Sequence, residues 1–421
     1  MQYPYLTLVN SLVPALLAGN SVILKPSPQT PTSAEQIQKI FQEAGLPDGV
    51  LQIFHSGSMT QIETIARSPK IQLVCFTGSV ANGLAVQSAA NDRVPLRVGL
   101  ELGGKDPAYV RADVDVKWAA EEIVDGSIFN SGQSCCSVER VYVDEKIHDD
   151  FVTALQDVLK GYKLGDPFDE ATHVGPVVSK RSAETIQSHI KDALSKGAKD
   201  ATPDNATFKN PPADGNYVAP TLLTGVTHDM IVMTEETFGP VIPVMKVKDD
   251  AEAIKWMNDS QFGLTASIWT KDVGKGHELI EDLEAGTVFV NRCDYPAPVS
   301  PQLSLMHMTL TSIGPSVGRM EGFWKRADAE QVWLRSVRQA QELPRQGLPQ
   351  IDVIARAGGH DTLSCGSQTR CLSSKATIVR CHPYVVVQDA YACSPDLAKS
   401  SIHTTIACNP LNRGRETVCI I

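Results

Sequence analysis

Cys135 stands in the run Phe129-Asn-Ser-Gly-Gln-Ser-Cys135-Cys136-Ser-Val-Glu-Arg140. The Gly132-Gln133 pair marks a turn between a helical pattern upstream and a strand pattern downstream. A thiol delivered on such a turn suits a nucleophile better than a core filler. Upstream lies Glu101-Leu-Gly-Gly-Lys-Asp-Pro107, a carboxylate followed by two glycines. A cysteine and a glutamate on glycine-marked turns are the parts needed for covalent catalysis with a separate general base. Cys136 is the alternative nucleophile. Adjacent side chains do not readily share one direction, so Cys136 is expected to pack.

The elements that must position these groups alternate. Strand patterns are expected at 21–25, 50–54, 71–76, 140–143, 239–247, 265–270 and 286–291. Helical patterns are expected at 37–41, 61–68, 80–90, 116–129, 147–159, 182–196, 250–257 and 272–283. Ser33-Ala-Glu-Gln36 reads as a capping box opening the first of these helices. Strands separated by helices predict an α/β fold with a parallel sheet.

The chain has 421 residues and a net charge of −10, enough length for two or three domains and a weak argument against nucleic acid as partner. No apolar run is long enough to span a membrane, and residues 1–14 carry no signal-type pattern. The expectation is a cytoplasmic protein with no membrane partner. The averages hide a break near Pro298. Residues 1–298 carry 25 Lys+Arg and 39 Asp+Glu, whereas 299–421 carry 13 and 9 and six of the ten cysteines. Those cysteines match no zinc spacing, so no metal is expected. One amphipathic helix is predicted over Glu321–Gln341, and the rest of the tail reads as irregular and poorly ordered.

Taken in order, Ile23-Leu-Lys25-Pro-Ser, Phe76-Thr-Gly-Ser79, Glu101-Leu-Gly-Gly-Lys105, Gly132-Gln-Ser-Cys135, Glu235-Glu-Thr-Phe-Gly-Pro240 and Gly286-Thr-Val-Phe-Val-Asn291 form a series. That series resembles the aldehyde dehydrogenase superfamily over residues 3–298. The resemblance implies a Rossmann-like parallel-sheet cofactor domain over 1–102, incomplete at its start, and an α/β catalytic domain over 103–298. A divergent tail occupies 299–421. It implies NAD(P)-dependent oxidation of a small-molecule aldehyde to an acid, through a thiohemiacetal and a thioester on Cys135. Glu101 matches the base that activates water. Gln2 stands where members carry an asparagine that donates to the oxyanion.

The same resemblance places the cofactor on Lys25, Pro28, Gly78, Ser79, Gly83, Leu102, Glu236 and Phe238. Backbone amides around Gly78 and Ser79, where a strand meets a helix, are expected to favour a pyrophosphate. Many NAD-using members have a glutamate at the position of Pro28. Its absence removes a carboxylate that would repel a 2′-phosphate, so NADP stands beside NAD as a cofactor. Asp294 and Tyr295 are candidate substrate-mouth residues.

The chain departs from the family in beginning inside its pattern and in leaving it near Pro298, where the change of charge and cysteine usage reads as a shift of frame or an unspliced intron. The family implies a homo-oligomer, and these departures count against one here. Two other readings stay open. One is an impaired, truncated member that acts only as a cofactor-binding or pairing subunit. The other is a cysteine hydrolase using Cys135 with His148 or His173.

Overall fold

The computed structural model describes residues 3–91, 97–293, 376–381, 384–389 and 417–420. The predicted alternation is present, and the fold is mixed α/β. The first part runs α1 (Pro4–Leu17), β1 (Ser21–Leu24), α2 (Pro31–Glu43), β2 (Leu51–Ile53), α3 (Met59–Arg67), β3 (Leu73–Thr77), α4 (Val80–Ala90) and β4 (Arg97–Glu101). The second part begins with β5 (Asp106–Val110), α5 (Val116–Ile128), β6 (Val138–Asp144), α6 (His148–Lys160) and α7 (Lys180–Ser195). It continues through β7 (Lys199–Asp200), α8 (Ala206–Lys209), β8 (Thr221–Thr224), α9 (Ile231–Thr234), β9 (Val241–Val247) and α10 (Asp250–Asn258). It closes with β10 (Thr265–Trp269), α11 (Val273–Leu279) and β11 (Thr287–Val290). Three further strands are β12 (Ala376–Cys381), β13 (Tyr384–Asp389) and β14 (Thr417–Ile420).

Local chemistry sets these elements. Helix α1 starts on Pro4, whose fixed φ suits a first helical position, and buries Leu8, Leu12 and Ala15 on one face. Helix α2 also starts on a proline, Pro31, behind Thr30. The expected capping box at Ser33 is therefore wrong: the helix begins two residues earlier, so Ser33 already lies within its first turn. Strands β5 and β6 are buried along their whole length, as strands covered on both faces must be. Their alternate residues feed two cores. Tyr109 joins α7, α10 and α11 on one side, and Ala108 and Val110 join α5 and α6 on the other. On α6, Phe151, Leu155 and Leu159 are fully buried, each contributing about 1.5–3 kcal/mol.

Two sheets carry the molecule. One has the order β11-β10-β5-β6-β9-β8-β7, parallel except for the short β7 edge. The other has the order β2-β1-β14-β3-β4 and is parallel throughout. Its middle strand comes from the tail. Thr417–Ile420 pair with Ser21–Leu24 on one side, and Val418–Ile420 pair with Leu73–Cys75 on the other. The sequence pattern marks no strand at these residues, because a four-residue strand leaves almost no periodicity. The predicted helix at 321–341 lies outside the described residues.

Strand β14 holds β1 and β3 one strand apart, and the segments that follow both strands line the main cleft. Proline at Val418 would remove a ladder donor from a strand paired on both edges. That change should destabilise the protein by about 1–3 kcal/mol, seen as a lower midpoint in thermal melting. An unchanged midpoint would show that β14 is dispensable.

Candidate active site

The turn that presents Cys135 is built from conformational strain. Helix α5 ends at Ile128, and Asn130, Ser131 and Gly132 follow with φ of 52°, 60° and 70°. Two non-glycine residues in the left-handed region cost on the order of 1–3 kcal/mol each, and persist only where neighbours over-determine them. Here they do. Asn130 Nδ2 donates to Gln133 O at 3.0 Å, Gln133 Nε2 donates to Asn130 O at 3.0 Å, and Val178 N donates to Gln133 Oε1 at 2.8 Å. Ser131 Oγ donates to Gly175 O at 3.0 Å. Gly132 abuts the Gly239 carbonyl so closely that any side chain would collide with it. The outcome separates the two thiols. Cys135 is half-buried and reaches the cleft, while Cys136 is 3 % exposed, its Sγ 3.4 Å from Ser134 Oγ.

The two glycines after Glu101 serve close approach. A Cβ on Gly104 would strike the Cys135 carbonyl, and one on Gly103 would strike the Glu236 carboxylate. The Gly104 amide donates to Glu236 Oε1 at 3.2 Å. The Leu102-Gly-Gly segment is thus threaded between the cysteine turn and Glu236. Both sheets contribute to one cleft of about 340 Å³. Lys25, Pro28, Gly78, Ser79, Leu102, Cys135, Glu236 and Phe238 all line it. So do Met59, Ile62 and Asn82, which carry no motif and could not be singled out in sequence.

Two expected positions behave differently. The Gly78 amide donates to Glu101 O at 3.0 Å, so it is already committed and is not the anion donor expected there. Gly83 does not line the cleft. Its amide donates to Ser79 O within α4, and its missing side chain makes room for Leu102. Gln2 lies outside the described residues, as do Asp294 and Tyr295.

The sequence pattern of the aldehyde dehydrogenase family matches residues 2–302. The chain belongs to that family. It is similar to lactaldehyde dehydrogenase of Escherichia coli, 36% identical over 296 residues, covering 70% of this chain and 61% of that protein. The crystal structure of NADP-dependent glyceraldehyde-3-phosphate dehydrogenase from Bacillus halodurans, complexed with NADP, superposes with a TM-score of 0.67 at 34% identity. That match covers 73% of this chain and 65% of the other. The Mycobacterium tuberculosis aldehyde dehydrogenase complexed with NAD+ gives 0.64 at 32% identity, covering 69% and 60%. The chain thus spans about three-fifths of the length of these relatives.

Within this aldehyde dehydrogenase chain, two buried carboxyl groups are hard to ionise: Glu236, which lines the cleft, and Glu101, which does not line it but directly precedes Leu102, which does. Burial pushes Glu101, at the end of β4, up to about 7. Burial, then the charge of Glu139, pushes Glu236 to about 8, against the opposing pull of the Gly104 amide and Lys105. The sequence does not single out Glu139, which follows the cysteine turn, lies just before the strand expected at 140–143 and belongs to β6. No group of three or more metal-ligating side chains occurs among the described residues, and no helix among them is long and apolar enough to cross a membrane.

Proposed function

We propose that this chain oxidises an aldehyde to a carboxylic acid with NAD or NADP, through covalent attachment to Cys135. The observation that carries the proposal is the presentation of the Cys135 thiol, on an over-determined turn, into a cleft shared with the residues that the family series assigns to the cofactor. Residues 1–102, with β14, would form the cofactor part, and residues 103–298 the catalytic part.

The cleft suits a dinucleotide. Met59 and Ile62 give an apolar wall for a planar ring, and Lys25 and Ser27 stand beside Pro28 where a ribose would rest. The N-terminus of α4, behind Ser79, offers positive potential to a pyrophosphate even with the Gly78 amide committed. Glu236 and Phe238 close the far end beside Cys135. When bound, the nicotinamide supplies a hydride acceptor.

The remaining chemistry belongs to the chain. The Cys135 thiolate adds to the aldehyde carbon, forming a C–S bond and an oxyanion. Collapse of that oxyanion re-forms the carbonyl and expels hydride, leaving a thioester on Cys135. Glu101 takes a proton from water, which attacks the thioester, and the acid leaves as the thiolate is regenerated. No carboxylate stands at Pro28 to reject a 2′-phosphate, which supports acceptance of NADP as well as NAD.

The test is the full chain with a panel that includes lactaldehyde, retinal and betaine aldehyde, each with either cofactor. Reduced cofactor should accumulate in near-ultraviolet absorbance, and acid should form in equal amount. Cofactor binding without turnover would replace this reading with that of a cofactor-binding subunit. Ester hydrolysis without cofactor would replace it with the cysteine hydrolase.

A further inference from the structure

Phe238 is the one residue of the cleft wall held in a strained backbone conformation, among the described residues. Its φ is 53°, in the left-handed region where a bulky aromatic residue is an outlier. Such strain needs a holder, and the holder is a buried ion pair behind the wall. Glu139 uses both carboxylate oxygens. Oε1 accepts from the Phe238 amide at 2.9 Å, and Oε2 accepts from the Thr237 amide at 2.7 Å and from Lys105 Nζ at 2.5 Å. Lys105 Nζ also donates to Thr237 Oγ1 at 3.0 Å, and His189 Nδ1 lies 3.2 Å from the same hydroxyl.

The side chains of Lys105 and Glu139 are 0% and 4% exposed. Burying such a pair is expensive, and replacing it with apolar residues often stabilises a protein. Stability alone is therefore a poor reason for its presence. Its geometry offers a better one. A carboxylate is the side chain that can receive two successive amides at once, and the lysine fixes the carboxylate against them.

We propose that Glu139, clamped by Lys105, is a positioning residue that holds Phe238 in its strained conformation against the nicotinamide half of the cofactor. The inference rests on the reading of the cleft as a dinucleotide site. Glu139 touches neither cofactor nor substrate; it acts through the Thr237-Phe238 backbone.

Two ligands separate positioning from general support. ADP-ribose carries the adenosine, the pyrophosphate and the second ribose and lacks only the nicotinamide ring; the whole dinucleotide adds that ring. Glu139→Gln keeps the size of the side chain but offers a single acceptor oxygen. Calorimetric titration of this variant should show ADP-ribose binding as in the parent. Affinity for the dinucleotide should fall about tenfold, and kcat with the best aldehyde about a hundredfold. Glu139→Asp, which keeps both acceptors, should recover part of the loss.

If Glu139→Gln does not fold, the pair Lys105→Met and Glu139→Gln removes both charges of the ion pair together and should show the same split. Equal losses for both ligands, or none for either, would overturn the positioning role. A parent chain that binds neither ADP-ribose nor any dinucleotide would overturn the cofactor reading itself, and this inference with it.

Discussion

Cys135→Ala is expected to abolish aldehyde oxidation, with a fall on the order of a thousandfold or more, because no other thiol among the described residues lines the cleft. Cofactor binding should survive, since the side chain occupies only one corner of the cleft. The neighbouring thiol provides the contrast. Cys136 is buried against Ser134, so Cys136→Ala should cost stability by about 1 kcal/mol and leave kcat within a few-fold of the parent. Steady-state reduction of cofactor, measured beside a thermal melt, reads both. Activity retained in Cys135→Ala and lost in Cys136→Ala would reverse the assignment.

Glu101→Gln should separate the two halves of the reaction. The thiol still reacts, so about one equivalent of reduced cofactor should appear per chain. Turnover beyond it should fall by roughly 10² to 10⁴-fold, the usual contribution of a positioned base. The parent enzyme's pH profile should fall on the acid side near pH 7, because Glu101 acts as a base only when ionised and burial raises it to about 7.

The same shift has a sign for stability. A folded-state value above the ordinary 4.5 means that the folded chain binds the proton more tightly. Stability from this group is full below pH 4.5 and is lost as pH rises to about 7. Glu101→Gln removes that loss, so the variant should gain stability relative to the parent above pH 7. A deacylation rate unaffected by the change would remove Glu101 from the mechanism.

Much of the architecture could be read from pattern. The long strands and helices between residues 116 and 291 bury one or both faces, and burial writes periodicity into sequence. Short elements escaped: β4 and β5 flank the Leu-Gly-Gly segment, where turn residues mask strand signals. The tail strand β14 escaped because nothing local specifies it; its partners, Ser21–Leu24 and Leu73–Cys75, are far away in the chain.

In the site, ordered motifs pointed to the residues that converge on the cleft. They did not show what each glycine does. Gly83 proved to be a packing contact for Leu102, and the Gly78 amide is spent on Glu101 O. Both facts depend on which atoms lie opposite, which no single stretch of sequence encodes. Glu139 was overlooked for the same reason. A charge on a strand next to Arg140 gives no sign that it receives amides from a loop almost a hundred residues onward.

The position of β14 also fixes when the sheet β2-β1-β14-β3-β4 can form. Ser21 pairs with Thr417, so this sheet cannot close while the nascent chain is still short. At about 5–20 residues per second of synthesis, β1 waits on the order of 20–80 s for its neighbour to leave the ribosome. Throughout that interval β1 and β3 present bare edges, the state most open to pairing with the wrong chain. Loop-closure entropy rises only slowly with length, so the delay is kinetic far more than thermodynamic. Yield in a cell should therefore follow chaperone supply and growth temperature more closely than the melting temperature of the finished protein.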